Sequence, residues 1–310
     1  MKLVSLKRYL PIIGVALFIY ILLKIDVGLV FAEMMLIDIP LFLLAIALTG
    51  VMFLLQTFKW FIIARRQAMP LSFFEAVRIN LISNFYGFVT PSKIGGVVRA
   101  EYLKKYAQGE LGKGLFNFTI DKVLDISSVI FAAILFSFVF KDKLDLPLSF
   151  FIITFFVFVF FTFFFIDKQR SKWALRFIYR RMSHRFKDKM KTTFESFYED
   201  IPKKRYFVWF FFWNLVSWFA IYYIFYIVGI ALGIDLGLVY YLAILPLGTL
   251  VSILPISISG LGTREAALIA LFGLFGVAAV KVFSLSIITL IIVGIIPSII
   301  GIFLVINEKK

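Results

Sequence analysis

The chain has 310 residues, 62% of them hydrophobic and 16% charged, with mean hydropathy +0.99 and a formal net charge of +15. Soluble domains run nearer half apolar and a quarter charged, so this balance excludes a soluble globular protein; with no compact basic fold to hold it, nucleic acid is excluded as a partner. Cysteine is absent and His184 is the single histidine, which removes disulfides, thiol redox chemistry and thiolate metal sites; no metal and no cofactor is implied.

In chain order, residues 1–23 combine a basic start with an apolar run and show no clear small-residue cleavage site, so they read as a retained first span. Candidate spans are Tyr9–Leu23, Pro40–Ala64, Leu115–Phe140, Leu146–Ile166, Tyr206–Leu232 and Val282–Ile306. Two further apolar stretches, Phe73–Tyr106 and Leu238–Ala279, contain helix breakers, and the way they are counted sets the topology. If each enters the membrane and leaves on the same side, Lys2, Lys7, Arg8, Arg65 and Arg66 all fall inside with Lys104, Lys105, Lys113 and the tail Asn307–Lys310. So does the polar loop Asp167–Arg205, with 13 Lys and Arg against 5 acids. Counting only the first stretch as a full crossing would put that loop outside, against the positive-inside rule.

The expected fold is therefore an all-α polytopic membrane protein, a single transmembrane domain over 1–310, with about six full spans plus two re-entrant helical hairpins. Both termini are expected in the cytoplasm and the chain in the cell membrane. The halves, about 1–140 and about 146–310, start on opposite sides, which makes them inverted-topology repeats of the kind secondary transporters use to build a site near the midplane.

The hairpin tips read "TPSKIGGVVRAEYL" from Thr90 and "LPISISGLGTREAALIALF" from Leu254. Pro91, Gly95, Gly96, Arg99 and Glu101 recur in order as Pro255, Gly260, Gly262, Arg264 and Glu265. Proline interrupts a helix and glycine lets the chain turn and a ligand approach the backbone. Thr90 and Pro91 read as the cap and first residue of a new helix, and Ser259 or Thr263 as the cap of the second. Each tip would then offer free N–H groups to an anion, with an arginine beside them that holds phosphate bidentately. Lys93 adds a cation at the first tip; Asn80, Ser83 and Asn84 add uncharged polar groups on its first limb. Buried arginine costs about 2.5–3.5 kcal/mol at bilayer depth, so these charges are expected to face a hydrated cavity between the halves. "FTIDKVLDISS" places Asp121 and Asp125 on one helix face with Lys122 between them, able either to pair with the tip arginines, to relay protons, or to cap the span at the surface.

At these residues the chain resembles the transmembrane, flippase-like domain of lysylphosphatidylglycerol synthases. The resemblance rests on "PSKIGGVVRAEYL", on "SGLGTREAAL", on "FKWFIIAR" in the second span, and on "DKVLD" where the family usually has Glu-Arg-x-x-Asp. It implies two re-entrant hairpins and movement of a lipid between leaflets; in the synthases that lipid is aminoacylated phosphatidylglycerol. The resemblance is to stand-alone members without the soluble aminoacyl-transferase domain, which leaves another phospholipid or a polyprenyl-phosphate-linked lipid open as substrate, with a separate lipid-modifying enzyme as a partner.

In "KWALRFIYRRMSHRFKDKMKTTFESFY", Ile178, Met182, Phe186, Met190, Phe194 and Tyr198 recur every four residues among cations, the pattern of a basic amphipathic helix on an anionic leaflet or of a charged connector between repeats. Pro297 predicts a kink. "GELGKG" at Gly109–Gly114 lacks the Ser/Thr and spacing of a P-loop, so no ATP-hydrolysing part is visible. The function read from the sequence is translocation of an anionic lipid, its phosphate held by Arg99, Arg264 and Lys93 with Asn84, Glu101 and Glu265 alongside. The alternative is an ion-coupled secondary transporter of a soluble anion. Enzymatic activity is not expected, since no zinc or serine-hydrolase motif is present, and self-association is left open.

Overall fold

The computed structural model describes residues 16–91, 93–140, 184–254 and 256–308, with isolated positions at 143, 149, 152–153, 155–156, 159–160 and 168–170. Among them every regular element is helical, and the one strand-like pairing is an isolated antiparallel bridge between Pro91 and Ile258. The expected span Leu146–Ile166, the start of Tyr9–Leu23, Pro255, and the stripe residues Ile178, Met182, Phe186 and Met190 lie partly or wholly outside the described residues.

Helix α1 covers residues 16–24. The following stretch to Ile39, expected as a connector, holds a second helix, α2 (Val27–Met35), started by the Asp26 carboxylate, which accepts from the Gly28 and Leu29 N–H groups at 2.8 and 3.3 Å. An aspartate that satisfies the first orphan N–H groups is what makes so short a helix start there. Asp38 does the same for α3 (Ile39–Arg66), accepting from the Leu41 N–H at 2.9 Å, and Arg65 and Arg66 in its last turn complement the helix dipole. Then come α4 (Phe73–Phe88), a 3-10 turn (Ile94–Val97) leading into α5 (Val98–Lys104), and α6 (Leu111–Leu135) with a 3-10 turn to Phe140. After these come α7 (His184–Phe197), α8 (Arg205–Ala231), α9 (Leu238–Ile253), α10 (Thr263–Gly273) and α11 (Ala279–Thr289); the His184 side chain is not among the described ones. A π turn (Leu290–Ile295) joins α11 to α12 (Ile296–Asn307). That π turn ends one residue before Ile296–Pro297, and both a π turn and a proline are places where helices bend.

Among the described residues, three helical rods are long and apolar enough to cross a membrane: α3, α8 and the continuous run Ala279–Asn307. Helix α6 is 25 residues long, but any 18-residue window of it includes Asp121, Lys122 and Asp125, so composition alone does not qualify it.

Helices α3 and α8 pack along their lengths, and α6 runs beside both. Helix α12 lies on α4, and α9 on α6; α5 folds against α6, and α10 against α11. Tyr222, Tyr241, Ile244, Phe272 and Leu285, from α8 to α11, belong to the largest apolar cluster among the described residues, which Ala45 and Met52 of α3 and Ala132 of α6 join. Small residues set the closest approaches: a Cβ on Gly114 would sit 2.5 Å from the Ala100 carbonyl oxygen, where α5 touches α6, and one on Gly301 would sit 2.3 Å from that of Leu81, where α12 touches α4. Gly112 and Gly114 of "GELGKG" thus serve helix packing, against α7 and α5.

Candidate functional site

Two broken helical pairs, α4/α5 and α9/α10, point their interruptions at each other. The tips touch through the Pro91–Ile258 bridge and through the Ser259 hydroxyl, which donates to the Phe88 carbonyl at 2.5 Å. Ser259 therefore stitches the tips together rather than capping α10. At the first tip, the Thr90 hydroxyl donates to the Tyr86 and Gly87 carbonyls at 2.9 and 3.1 Å and accepts the Gly95 N–H at 2.7 Å. Gly95 is required by this closeness, since a Cβ there would fall 2.1 Å from the Tyr86 carbonyl oxygen. The new helix starts four residues after Thr90, so Thr90 and Pro91 form the turn and not its cap and first residue.

The second tip caps itself. Glu265, fully buried, accepts the Gly262 N–H through Oε2 at 2.6 Å, and its Oε1 accepts from the Ser286 hydroxyl at 2.7 Å and the Arg264 guanidinium at 2.9 Å. Gly262, at φ 80°, supplies the left-handed turn that a side chain would strain. Arg264 also donates to the Ser286 carbonyl at 3.2 Å, which ties α10 to α11. Thr263, expected as an alternative cap, pairs its hydroxyl with Ser257 at 2.8 Å. The free N–H groups expected at the tips are in both cases engaged: Gly95 with Thr90, Gly96 with the Lys93 carbonyl, Gly262 with Glu265.

Behind the first tip lies a buried charge cluster. Arg99 is 3% exposed and donates to Asp121 Oδ2 at 2.9 Å; its guanidinium lies over the Trp60 and Phe118 rings, 4.8 and 5.4 Å from their centroids. Asp121 meets the Lys59 ammonium at 2.9 Å through its other oxygen. Lys59 also contacts Asp125 directly and donates to the Asn214 side-chain carbonyl at 3.2 Å. Asp125 in addition accepts from Trp218 Nε1 at 3.2 Å and pairs with Lys122 at 3.0 Å. Charges this deep persist only when paired and hydrogen-bonded, and here α3, α5, α6 and α8 each contribute a partner.

The sequence-predicted residues thus divide. Arg99, Asp121, Lys122 and Asp125 converge, and the carboxylates pair with cations at depth rather than capping a surface. Arg264 and Glu265 form their own pair at the second tip. Glu101 is not brought in: its side chain is 61% exposed and pairs with Lys104 one turn on. Asn84 is half-buried, and its Nδ2 is buried with no partner among the described residues. Lys93 stands at the turn in a left-handed conformation, φ 55°, with an exposed side chain and no ion-pair partner among the described residues. Sequence reasoning missed Lys59, Asn214, Trp218 and Ser286. The available signal was a lysine in the apolar run of α3, inside "FKWFIIAR".

On the cytoplasm-predicted side, Lys113 at the start of α6 meets Asp200 at 2.8 Å and Glu199 at 3.6 Å, and the Gly112 N–H donates to the Ser196 hydroxyl at 3.1 Å, which docks the end of α7 on α6. Among the described residues no group of three His, Asp or Glu converges that would hold a metal ion.

Long apolar helices, interrupted pairs and charges buried only in pairs define a multi-pass α-helical membrane protein. The chain belongs to the family described as the lysylphosphatidylglycerol synthase TM region, which it matches over residues 10–301, nearly its whole length. No curated protein sequence matches it.

Proposed function

We propose that this protein moves an anionic lipid between the leaflets of the cell membrane, using two re-entrant hairpins contributed by inverted-topology repeats. The observation that carries the reading is the meeting of the two tips, at the Pro91–Ile258 bridge and the Ser259–Phe88 hydrogen bond, with the paired charges of Arg99 and Asp121 behind one tip and of Arg264 and Glu265 at the other. Helices α4 and α9 have 16 residues each, about 24 Å at the α-helical rise, short of a hydrocarbon core of about 30 Å. Two limbs that stop short and turn back on meeting are what re-entrant hairpins from opposite faces require.

The packing pattern supports the repeat assignment. If α3, α4, α5 and α6 correspond to α8, α9, α10 and the α11–α12 rod, then α6 on α9 exchanges with α12 on α4, α5 on α6 exchanges with α10 on α11, and α3 on α8 maps onto itself. Each tip arginine also bonds to the helix that follows its own hairpin: Arg99 to Asp121, Arg264 to the Ser286 carbonyl. In this reading both termini and the 13-cation loop are cytoplasmic. Arg99 holds the hairpin to α6, while the headgroup meets the tips.

Reconstitution into vesicles with labelled phospholipids of several headgroups tests the function; movement no faster than in protein-free vesicles for all of them overturns it. Because the chain contains no cysteine, single cysteines at 88–97 and 256–263 test the hairpins. Labelling of the first set from one side and the second from the other is expected; labelling of both from the same side refutes the inverted arrangement.

A further inference from the structure

We propose a lipid site on the outer surface of the bundle, away from the tips, where Arg66 and Arg205 together hold the phosphate of an anionic phospholipid whose tails lie along α8. This goes beyond the proposed function; only the assignment to the cytoplasmic leaflet rests on the orientation proposed there.

Arg66 ends α3 and Arg205 begins α8, the two long apolar rods that pack along their lengths. Their guanidinium groups meet at one oxygen. Arg66 Nη1 and Arg205 Nη2 each donate to the Tyr206 hydroxyl at 3.3 Å, so the two nitrogens stand no further apart than twice that distance. Both groups also lie against the Tyr206 ring, 4.1 and 5.1 Å from its centroid. Both arginines are exposed, and neither has an ion-pair partner among the described residues.

One exposed arginine at such a helix end satisfies the positive-inside rule and means nothing more. Two gathered on one neutral oxygen are different, because like charges side by side repel and either side chain is free to turn into water. Tyr206 draws them together through its ring and its oxygen. That hydroxyl accepts twice, and its own O–H has no acceptor among the described residues. Every group here is a donor, so the arrangement suits a ligand that carries negative charge and several acceptor oxygens. A phosphodiester has one negative charge and two non-bridging oxygens, one for each guanidinium, and arginine binds phosphate through parallel N–H bonds while giving up its loosely held water.

The surface beside the arginines selects a lipid over a soluble anion. Val208 and Trp209 follow Arg205 by three and four residues, and Phe212 follows Val208 by four, so one face of α8 carries the arginine and then these three. All three are exposed, and the Trp209 and Phe212 rings stack at 5.5 Å. An exposed apolar stripe that starts at the arginines and runs along a membrane-crossing rod is where acyl chains lie when the headgroup is held at its end. Indole itself favours the headgroup level. A lipid with net negative charge fits the pair, whereas a zwitterionic one brings an ammonium toward two guanidinium groups.

The test uses the protein in phosphatidylcholine bilayers into which brominated phosphatidylglycerol is mixed. Quenching of Trp209 is the difference between wild type and Trp209→Phe. Phosphatidylglycerol is expected to be enriched at Trp209 by roughly tenfold or more over its mole fraction, and Arg66→Gln and Arg205→Gln should each lower that enrichment about fivefold. Tyr206→Phe keeps the ring and both charges but removes the shared oxygen, and should lower it as well. Arg65→Gln, at an exposed neighbour with no contact to Tyr206 among the described residues, should leave it as it is. No enrichment in the wild type, or an enrichment that Tyr206→Phe does not change, overturns the inference. So does a loss in Arg65→Gln equal to that in Arg66→Gln, which would show diffuse surface charge in place of a site. Glycerol phosphate in solution, removing the enrichment at the concentration of the lipid itself, overturns the lipid as the source of the phosphate. The readout needs no transport: absent enrichment leaves translocation standing, and absent movement in vesicles leaves this site standing.

Discussion

Replacing Lys59 by methionine tests whether the cluster behind the first tip is a closed, mutually dependent unit. The ammonium is 6% exposed and contacts both Asp121 and Asp125, with Asn214 as a third partner. Removing one member of a buried ion pair costs about 3–5 kcal/mol, because the survivor is left charged and unsolvated. Here Asp121 keeps Arg99, and Asp125 keeps Lys122 and Trp218, which places the expected loss near the lower end, about 3 kcal/mol. At about 2–4 °C per kcal/mol for a chain of this order of size, the apparent melting temperature in a fixed detergent should fall by roughly 6–12 °C. The informative variant is the double, Lys59→Met with Asp125→Asn, which has the wild-type net charge. Neutralising both partners leaves neither Lys59 nor Asp125 charged and unpaired, so its cost should be about 1 kcal/mol, below that of Lys59→Met alone, with a coupling energy of at least about 2 kcal/mol in magnitude, larger by whatever Asp125→Asn costs alone. If the two single losses simply add in the double variant, the ammonium and carboxylate do not depend on each other, and the reading of a desolvated paired cluster is refuted.

Gly114→Ala places a methyl 2.5 Å from the Ala100 carbonyl oxygen; it should cost about 1–3 kcal/mol by forcing α5 off α6, with faster hydrogen exchange around Arg99 as the check. Glu265→Gln replaces one acceptor oxygen with a donor facing the donors Gly262 N–H, Ser286 and Arg264; a loss of about 1–3 kcal/mol is expected, with exchange rising at 257–264. Lys113→Met should cost less than about 1 kcal/mol, since Asp200 and Glu199 are 44% and 52% exposed, but should raise proteolytic sensitivity around 196–200 in a way that high salt reproduces in the wild type.

Much of this arrangement was legible because it rests on residue types that a membrane rejects unless it needs them. Arg99, Asp121 and Arg264 announced themselves as charges in apolar surroundings, and Pro91 with the glycine pairs announced the breaks. What could not be read is whom each charge meets. Lys59 and Asp121 are 62 positions apart in the chain, and the helical period of α3 carries little contrast because lipid-facing and core-facing residues are both apolar. Periodicity names a face only when the two faces meet different media. The capping predictions at Thr90, Ser259 and Thr263 failed for a related reason: a hydroxyl caps the nearest helix only when no better partner is near, and here the facing tip or the preceding turn supplied one. The short helix α2 was missed although Asp26 stands at its start, because its nine residues were judged by hydropathy and not by capping.

The distribution of pairing gives the site its logic. An arginine already satisfied by Asp121 and sandwiched between Trp60 and Phe118 cannot follow a headgroup without leaving a carboxylate bare, so the obvious arginine is the one least free to bind. Charges that hold hairpins in place must be paired, since an unpaired one would draw in water and loosen the packing around it. A charge that engages a passing ligand must be left unpaired, or paired loosely at an accessible edge, so that the ligand replaces water rather than a bonded carboxylate. Lys59 and Arg99 meet the first condition, and under the proposed function Lys122 at its accessible edge meets the second, while Arg264 holds Glu265 and Ser286 from a partly open position. Under the proposed function, rigid scaffold and exchangeable contact are separated by the depth of each cation.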